Sequence, residues 1–168
     1  MRLQQMSKKN KQSKTPTDKN NTLIATNRKA RHDYNILTTY QAGLVLMGSE
    51  VKSIRAHKVS IADAFVQERH GELWLMNAHI AQYEQAKHFG HTDPIRPRKL
   101  LLHRKEIIQI MNKIREVSYT AVPLRLYMDR GLAKLEIATA QGKRSYDKRA
   151  DIAKRDAERQ MRRAVKER

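Results

Sequence analysis

The chain has 168 residues, 39% of them hydrophobic, enough apolar material for one compact core but not two. It has no cysteine, which excludes disulfides, thiolate zinc sites and cysteine nucleophiles, and an aromatic content of 5% argues against a broad base-stacking platform. The net charge of +18 sits mostly at the ends: residues 1–32 carry nine Lys/Arg against the single acid Asp18, residues 143–168 eleven against five, and residues 33–142 fifteen against eleven. A nearly balanced body with two basic arms can bury its core without strong self-repulsion and find a polyanion by charge. Nucleic acid or ribosome is favoured over anionic membrane, but charge does not choose RNA over DNA.

In chain order, residues 1–22 are rich in Ser, Thr, Asn, Gln and Lys and read as a disordered basic extension. They lack the apolar stretch of a secretory signal, and no apolar run approaches the roughly 20 residues that span a bilayer. The expectation is a cytoplasmic protein with no membrane partner. Tyr34 to Leu46 is dense in β-branched and aromatic residues and predicts a long strand, bent at Gly43. A short helix follows Gly48-Ser49, with Ser49 as N-cap and Val51 and Ile54 inward. Phe65–Arg69 and Leu73–Ile80 alternate as two strands around the turn glycine Gly71. Residues 87–98, with Gly90, Pro94 and Pro97, read as a loop.

Lys99–Val117 is the clearest predicted helix, with Leu100, Ile107, Ile110, Met111 and Ile114 on one stripe. A hairpin then turns at Asp129-Arg130-Gly131, with Val122, Leu124, Leu126 and Met128 opposite a more polar set that includes Pro123, which points to an edge or a strand start. The order β-α-β-β-α-β-β predicts a mainly β fold: a small closed antiparallel OB-like barrel over 23–142 with two flanking helices. Beyond Gly142, residues 143–168 form a basic tail. Ala150, Ala153, Ala157, Met161 and Ala164 recur at helical spacing but bury little area, so the tail is expected to fold only on a charged surface.

No catalytic set emerges. His32-Asp33 is a two-residue match to metal-dependent phosphohydrolases with nothing to complete it. His88 and His91, with His79 and Asp93 near in sequence, read as loop residues rather than as the four ligands of a zinc site. Ser49 and Ser53 lack an adjoining base. The expectation is a protein that is not an enzyme and uses no metal or cofactor.

Three basic groups remain: Asn27-Arg28-Lys29-Ala30-Arg31-His32-Asp33-Tyr34, Gly48-Ser49-Glu50-Val51-Lys52-Ser53-Ile54-Arg55, and Arg96-Pro97-Arg98-Lys99-Leu100-Leu101-Leu102-His103-Arg104. The third would put cations and free N–H groups at a helix N-terminus, a place suited to phosphate. On residues alone, each is also a solvated charged face. A general OB-type translation protein, an RNA-processing enzyme built on His32-Asp33 and a DNA-compacting protein all stay open.

Followed by Gly131-x-x-Lys134 and Gly142-Lys143-Arg144-x-Tyr146-Asp147-Lys148-Arg149, the three groups resemble in order and spacing the SsrA-binding proteins, the bacterial RNA-binding family of trans-translation. Trp74-Leu75-Met76-Asn77-Ala78-His79-Ile80 also fits. The resemblance implies an OB barrel that binds the tRNA-like domain of tmRNA and stands in for its missing anticodon arm. It implies a tail that occupies the vacant mRNA channel of the 70S ribosome at the small-subunit decoding centre, so that stalled ribosomes are rescued and the nascent chain is tagged. Elongation factor Tu would join through aminoacylated tmRNA. By position, the implied tmRNA-binding face is Leu101 and Lys134 with Asn27, Arg28, Arg31, His32, Gln41, Lys52 and Arg98. The implied ribosome contacts are Tyr146, stacking on a decoding-centre base, then Asp147, Lys148 and Arg149, with Lys154, Arg155 and Arg159 further along. Gln41 departs from the glutamate usual in the family, keeping one acceptor and gaining donors.

Overall fold

The computed structural model describes residues 21–90, 93–143, 152–154 and 156–162. The body begins earlier than the hydrophobic pattern indicated: β1 (Asn21–Thr26) pairs antiparallel with the later strand β8 (Tyr119–Asp129), from Asn21 opposite Asp129 to Thr26 opposite Arg125. A six-residue edge strand has too little alternation to stand out in a polar segment. Helix α1 (Arg28–Asp33) follows. Asn27 caps it, accepting from the Ala30 N–H at 2.9 Å and donating its amide to the Ile61 carbonyl at 3.1 Å.

Strand β2 (Tyr34–Leu44) runs beside β9 (Leu132–Gly142) for almost its whole length, from Tyr34 opposite Gly142 to Gly43 opposite Lys134. Its irregularity lies between Ile36 and Thr38 rather than at Gly43. Gly43 serves close approach instead, since a Cβ there would stand 3.3 Å from the Leu101 Cβ. Helix α2 (Gly48–Arg55) is capped at Met47, not at Ser49, because the Glu50 carboxylate accepts from the Met47 N–H at 2.8 Å. Ile54 is fully buried, as its spacing required.

Strands β3 (Val59–Ser60) and β6 (His79–Ile80) form a small separate sheet. Strands β4 (Phe65–Arg69) and β5 (Glu72–Met76) make a hairpin whose turn residues, His70 and Gly71, both take positive φ, 52° and 76°. That is the two-residue turn whose twist suits antiparallel strands. The predicted 73–80 strand is broken at Asn77, φ 56°. A 3-10 turn spans Glu84–Phe89.

The predicted 99–117 helix is shorter. Residues 99–101 belong to β7 (Arg98–Leu101), where Leu100 pairs with Leu44 and Leu101 with Gly43, and helix α3 is Arg104–Arg115. Backbone pairing to β2 and β5 outweighs the helical propensity of this run. The stripe is otherwise as expected, with Ile110 fully buried and Ile107, Met111 and Ile114 packed on the core.

Strands β8 and β9 turn at Arg130 and Gly131 (φ 50° and 84°). Pro123 lies inside β8 at a bulge between Pro123 and Arg125, not at an edge or a start. The bulge separates the expected apolar face into two. Leu126 and Met128 join the main core, whereas Val122 and Leu124 pack with Ala138, Ala140 and Ala30 of α1.

The seven-stranded sheet has the order β1-β8-β4-β5-β7-β2-β9, and β9 also pairs with β8. The fold is mixed α/β with OB-like sheet topology and flanking helices. In the tail, residues 152–154 and 156–162 are helical and exposed. Among the described residues no helix is long and apolar enough to cross a membrane.

Candidate nucleic-acid interface

Cross-strand register assembles one surface from five strands. Leu23 of β1 lies opposite Tyr127 of β8, Tyr127 opposite Lys134 of β9, Lys134 opposite Gly43 of β2, and Gly43 opposite Leu101 of β7. Residues directly opposed in an antiparallel pair share a face, so these form a transverse row on the outer side of the sheet. A second row carries Thr26, Arg125, Glu136 and Gln41. Helix α1 covers the far end of this face, and the Gln41 and Lys134 end is open.

Within the row, Leu23 and Leu101 are about half exposed, and Leu132 at the hairpin end more so. Lys134 rises between them with its ammonium on Asp129. That hydrogen bond holds the lysine pKa above its usual value, so the group is cationic throughout the neutral range. Asp129 also competes with any phosphate that approaches. Gly43, lacking a side chain, lets Leu101 lie close to the β2 backbone and leaves Lys134 uncovered. Gln41 is exposed and faces Glu136, which is buried and bonded to Arg125. A carboxylate at 41 would stand opposite a second one, and the amide removes that repulsion.

The other predicted residues divide sharply. Arg28 and Arg31 are exposed on α1, and His32 bonds its neighbour Asp33 at 2.8 Å. Lys143 donates its backbone N–H to the Asp33 carbonyl at 2.9 Å and its ammonium to the Arg31 carbonyl at 3.2 Å, which brings the start of the tail beside these cations. Lys52 is exposed on α2, 5.2 Å from the Tyr83 ring centroid.

Asn27 and Arg98 lie inside the body rather than on this face. Asn27 is 3% exposed and spent on capping α1, and Arg98 is 0% exposed. The Arg98 guanidinium donates to Glu50 at 2.8 Å and to the carbonyls of Ala78, Pro94 and Arg96 at 2.6, 2.9 and 3.1 Å. Burial lowers its pKa against the opposing pull of Glu50. Both side chains are engaged by partners within the body. The expected basic helix start lies further along: Arg98 is in a strand, and α3 begins with the exposed cations Arg104 and Lys105, the Glu106 carboxylate accepting from the His103 N–H at 3.0 Å.

Tyr146, Asp147, Lys148, Arg149 and Arg155 lie outside the described residues, whereas Lys154 and Arg159 are exposed on the helical tail. His91 is likewise outside, and the described residues hold no group of three or more His, Asp or Glu side chains arranged for a metal. The exposed Leu23 and Leu132 were not anticipated, nor was Tyr127, which stands between Leu23 and Lys134 in the register but is itself buried. Tyr127 alone had a signal, its place on the polar side of the β8 alternation.

An OB-like sheet that sets a lysine among exposed leucines, between two basic arms, defines a nucleic-acid-binding protein. Residues 24–167 match the family model described as SmpB protein, and the chain belongs to that family. It is 55% identical over 144 residues to the SsrA-binding protein of Symbiobacterium thermophilum, covering 85% of this chain and 90% of that one. Its identity to the SsrA-binding protein of Thermobifida fusca is 54% over 163 residues, covering 97% and 99%. A solved chain described as "tmRNA-SmpB: a journey to the center of the bacterial ribosome" is similar with a TM-score of 0.61 and 46% identity, covering 71% of this chain and 84% of that one.

Proposed function

We propose that the protein binds the tRNA-like domain of tmRNA through this outer face and carries it to stalled ribosomes. It is a non-catalytic RNA-binding protein of tmRNA-mediated trans-translation, the reading that its family membership supports. The observation that carries the reading is the row Lys134, Gly43, Leu101. One strand register brings a phosphate-seeking cation and an exposed apolar surface for an unstacked base to the same few ångströms of sheet. Arg28, Arg31, His32, Gln41 and Lys52 extend the tmRNA contacts.

The tail then acts on the ribosome. Tyr146 stacks in the decoding centre, Asp147, Lys148 and Arg149 guide the chain into the empty mRNA channel, and Lys154, Arg155 and Arg159 follow along it. Elongation factor Tu is engaged through aminoacylated tmRNA rather than through this body. The sheet is read as a closed barrel, a reading supported by β9 pairing with both β2 and β8.

The test is a titration with labelled tRNA-like domain, competed by ordinary tRNA and by duplex DNA at two salt concentrations. A preference for the tmRNA domain that persists at the higher salt supports shape-specific recognition. Equal competition that collapses with salt would mean that the basic arms bind any polyanion.

A further inference from the structure

The outer face continues beyond Leu101. Lys99, two residues earlier on β7, shares that face; it lies opposite Trp74 of β5, and Trp74 lies opposite Gln67 of β4. The alternate residues of these strands, Val66, Leu73, Leu75, Arg98 and Leu100, are all buried. Trp74, the single tryptophan of the chain, therefore points outward and is partly exposed. One step along, Phe65 lies opposite Met76 and is 42% exposed. A chain with only nine aromatic residues thus keeps two of them on one hairpin surface, outside the core.

Charged side chains of both signs lie beside the indole, the cations in the majority. Arg69, His70, Glu72 and Trp74 line a hollow of about 250 Å³ with a largely apolar floor. This lies below the roughly 300 Å³ at which small-molecule pockets begin, so it suits one flat ring rather than an enclosed ligand. Arg104 donates to the Gly71 carbonyl at 3.4 Å, which puts its guanidinium at the rim, and the Lys99 ammonium lies 2.5 Å from Glu72. Arg69 is exposed at the end of β4. Aromatic rings on a sheet face, flanked by cations, are what single-stranded nucleic acid uses: bases stack on the rings and phosphates track the positive charge. OB-type folds offer oligonucleotides the hairpin after the first long strand, which here is β4–β5.

We propose that the β4–β5 face is a second RNA subsite, in which an unstacked base of single-stranded RNA stacks on Trp74 while its phosphates meet Arg69 and Arg104. This rests on the RNA-binding reading above and extends it, since Lys99 joins the subsite to Leu101 along one strand. The recognition is sequence-tolerant, because every base offers a π face.

Trp74 is its own reporter. The full-length protein is titrated with an unstructured RNA of about eight nucleotides, within the site sizes such folds cover. Binding is read by anisotropy of a labelled oligonucleotide, and stacking by Trp74 emission with an unlabelled one. The tRNA-like domain of tmRNA is titrated in parallel. Emission quenched in step with anisotropy is the expected result. Trp74→Ala should then weaken oligonucleotide binding about tenfold, the size of one lost base stack, and Trp74→Phe should restore most of it. If the oligonucleotide binds with Trp74 emission unchanged, or only the tRNA-like domain binds, the subsite is overturned and the proposed function stands. If neither RNA binds, both fall.

Discussion

Replacing Glu50 by Ala probes the buried charge pair that anchors β7, the strand presenting Leu101. Glu50 and Arg98 are both 0% exposed. One Glu50 oxygen accepts from Arg98 Nε at 2.8 Å and Arg96 Nε at 2.9 Å, and the other caps the Met47 N–H at 2.8 Å. Removing the carboxylate leaves a core guanidinium bonded to three carbonyls, with Asp93 as its remaining counter-charge and no carboxylate bonded to it. Stripping one partner from such a pair costs about 3–5 kcal/mol, and the surviving carbonyl bonds favour the lower end. For a body of this size that is about 10–20 °C of Tm. Urea denaturation followed by Trp74 emission measures it. The double change Glu50→Leu with Arg98→Met should cost less than Glu50→Ala alone, because an apolar pair carries no desolvation penalty. A loss below about 1 kcal/mol for Glu50→Ala, or a double variant no better than the single one, would refute the reasoning.

The same carboxylate sets an acid limb. Burial by itself would raise the Glu50 pKa, but the bonds from Arg96 and Met47 and the charge of Arg98 together hold it below the usual value. A depressed folded pKa means stability that is present above the unfolded value of about 4.3 and is lost as pH falls through the folded one. Glu50→Gln should therefore flatten the loss of stability below about pH 4, read from denaturation midpoints across that range. Lys134→Ala should weaken RNA binding and reduce the slope of log K against log salt by about 0.7–0.9, one phosphate's share; an unchanged slope in a salt titration would remove Lys134 from the phosphate contacts. Gly43→Val pushes side-chain atoms into Leu101, already 3.3 Å from a Cβ at that position. It should lower tmRNA affinity while costing about 1–3 kcal/mol of stability, and binding and denaturation measured together separate the two effects. Deleting 143–168 should leave affinity for the tRNA-like domain mostly intact and abolish tagging in a translation assay; loss of both would assign the tail to RNA binding.

Periodicity, turn chemistry and charge made much of this protein legible. The β2 strand, the β4–β5 hairpin with its glycine, the Ile110 stripe, the β8–β9 hairpin and the basic ends all follow from residue order, because each is a local pattern. The resemblance also marked Leu101 and Lys134 as a pair before any geometry was known. What sequence could not decide is what depends on distant partners. Lys99-Leu100-Leu101 has helical spacing, yet it forms a strand because Leu44 and Gly43 offer it backbone partners. Arg98 reads as one more surface cation in a basic string. It is withdrawn from solvent because Glu50, 48 residues away, meets it in the core. Lys134, Gly43 and Leu101 become one surface only through the β9–β2–β7 register. Local propensity sets which elements can form, while burial and cross-strand pairing, which join residues far apart in the chain, decide which charges face water.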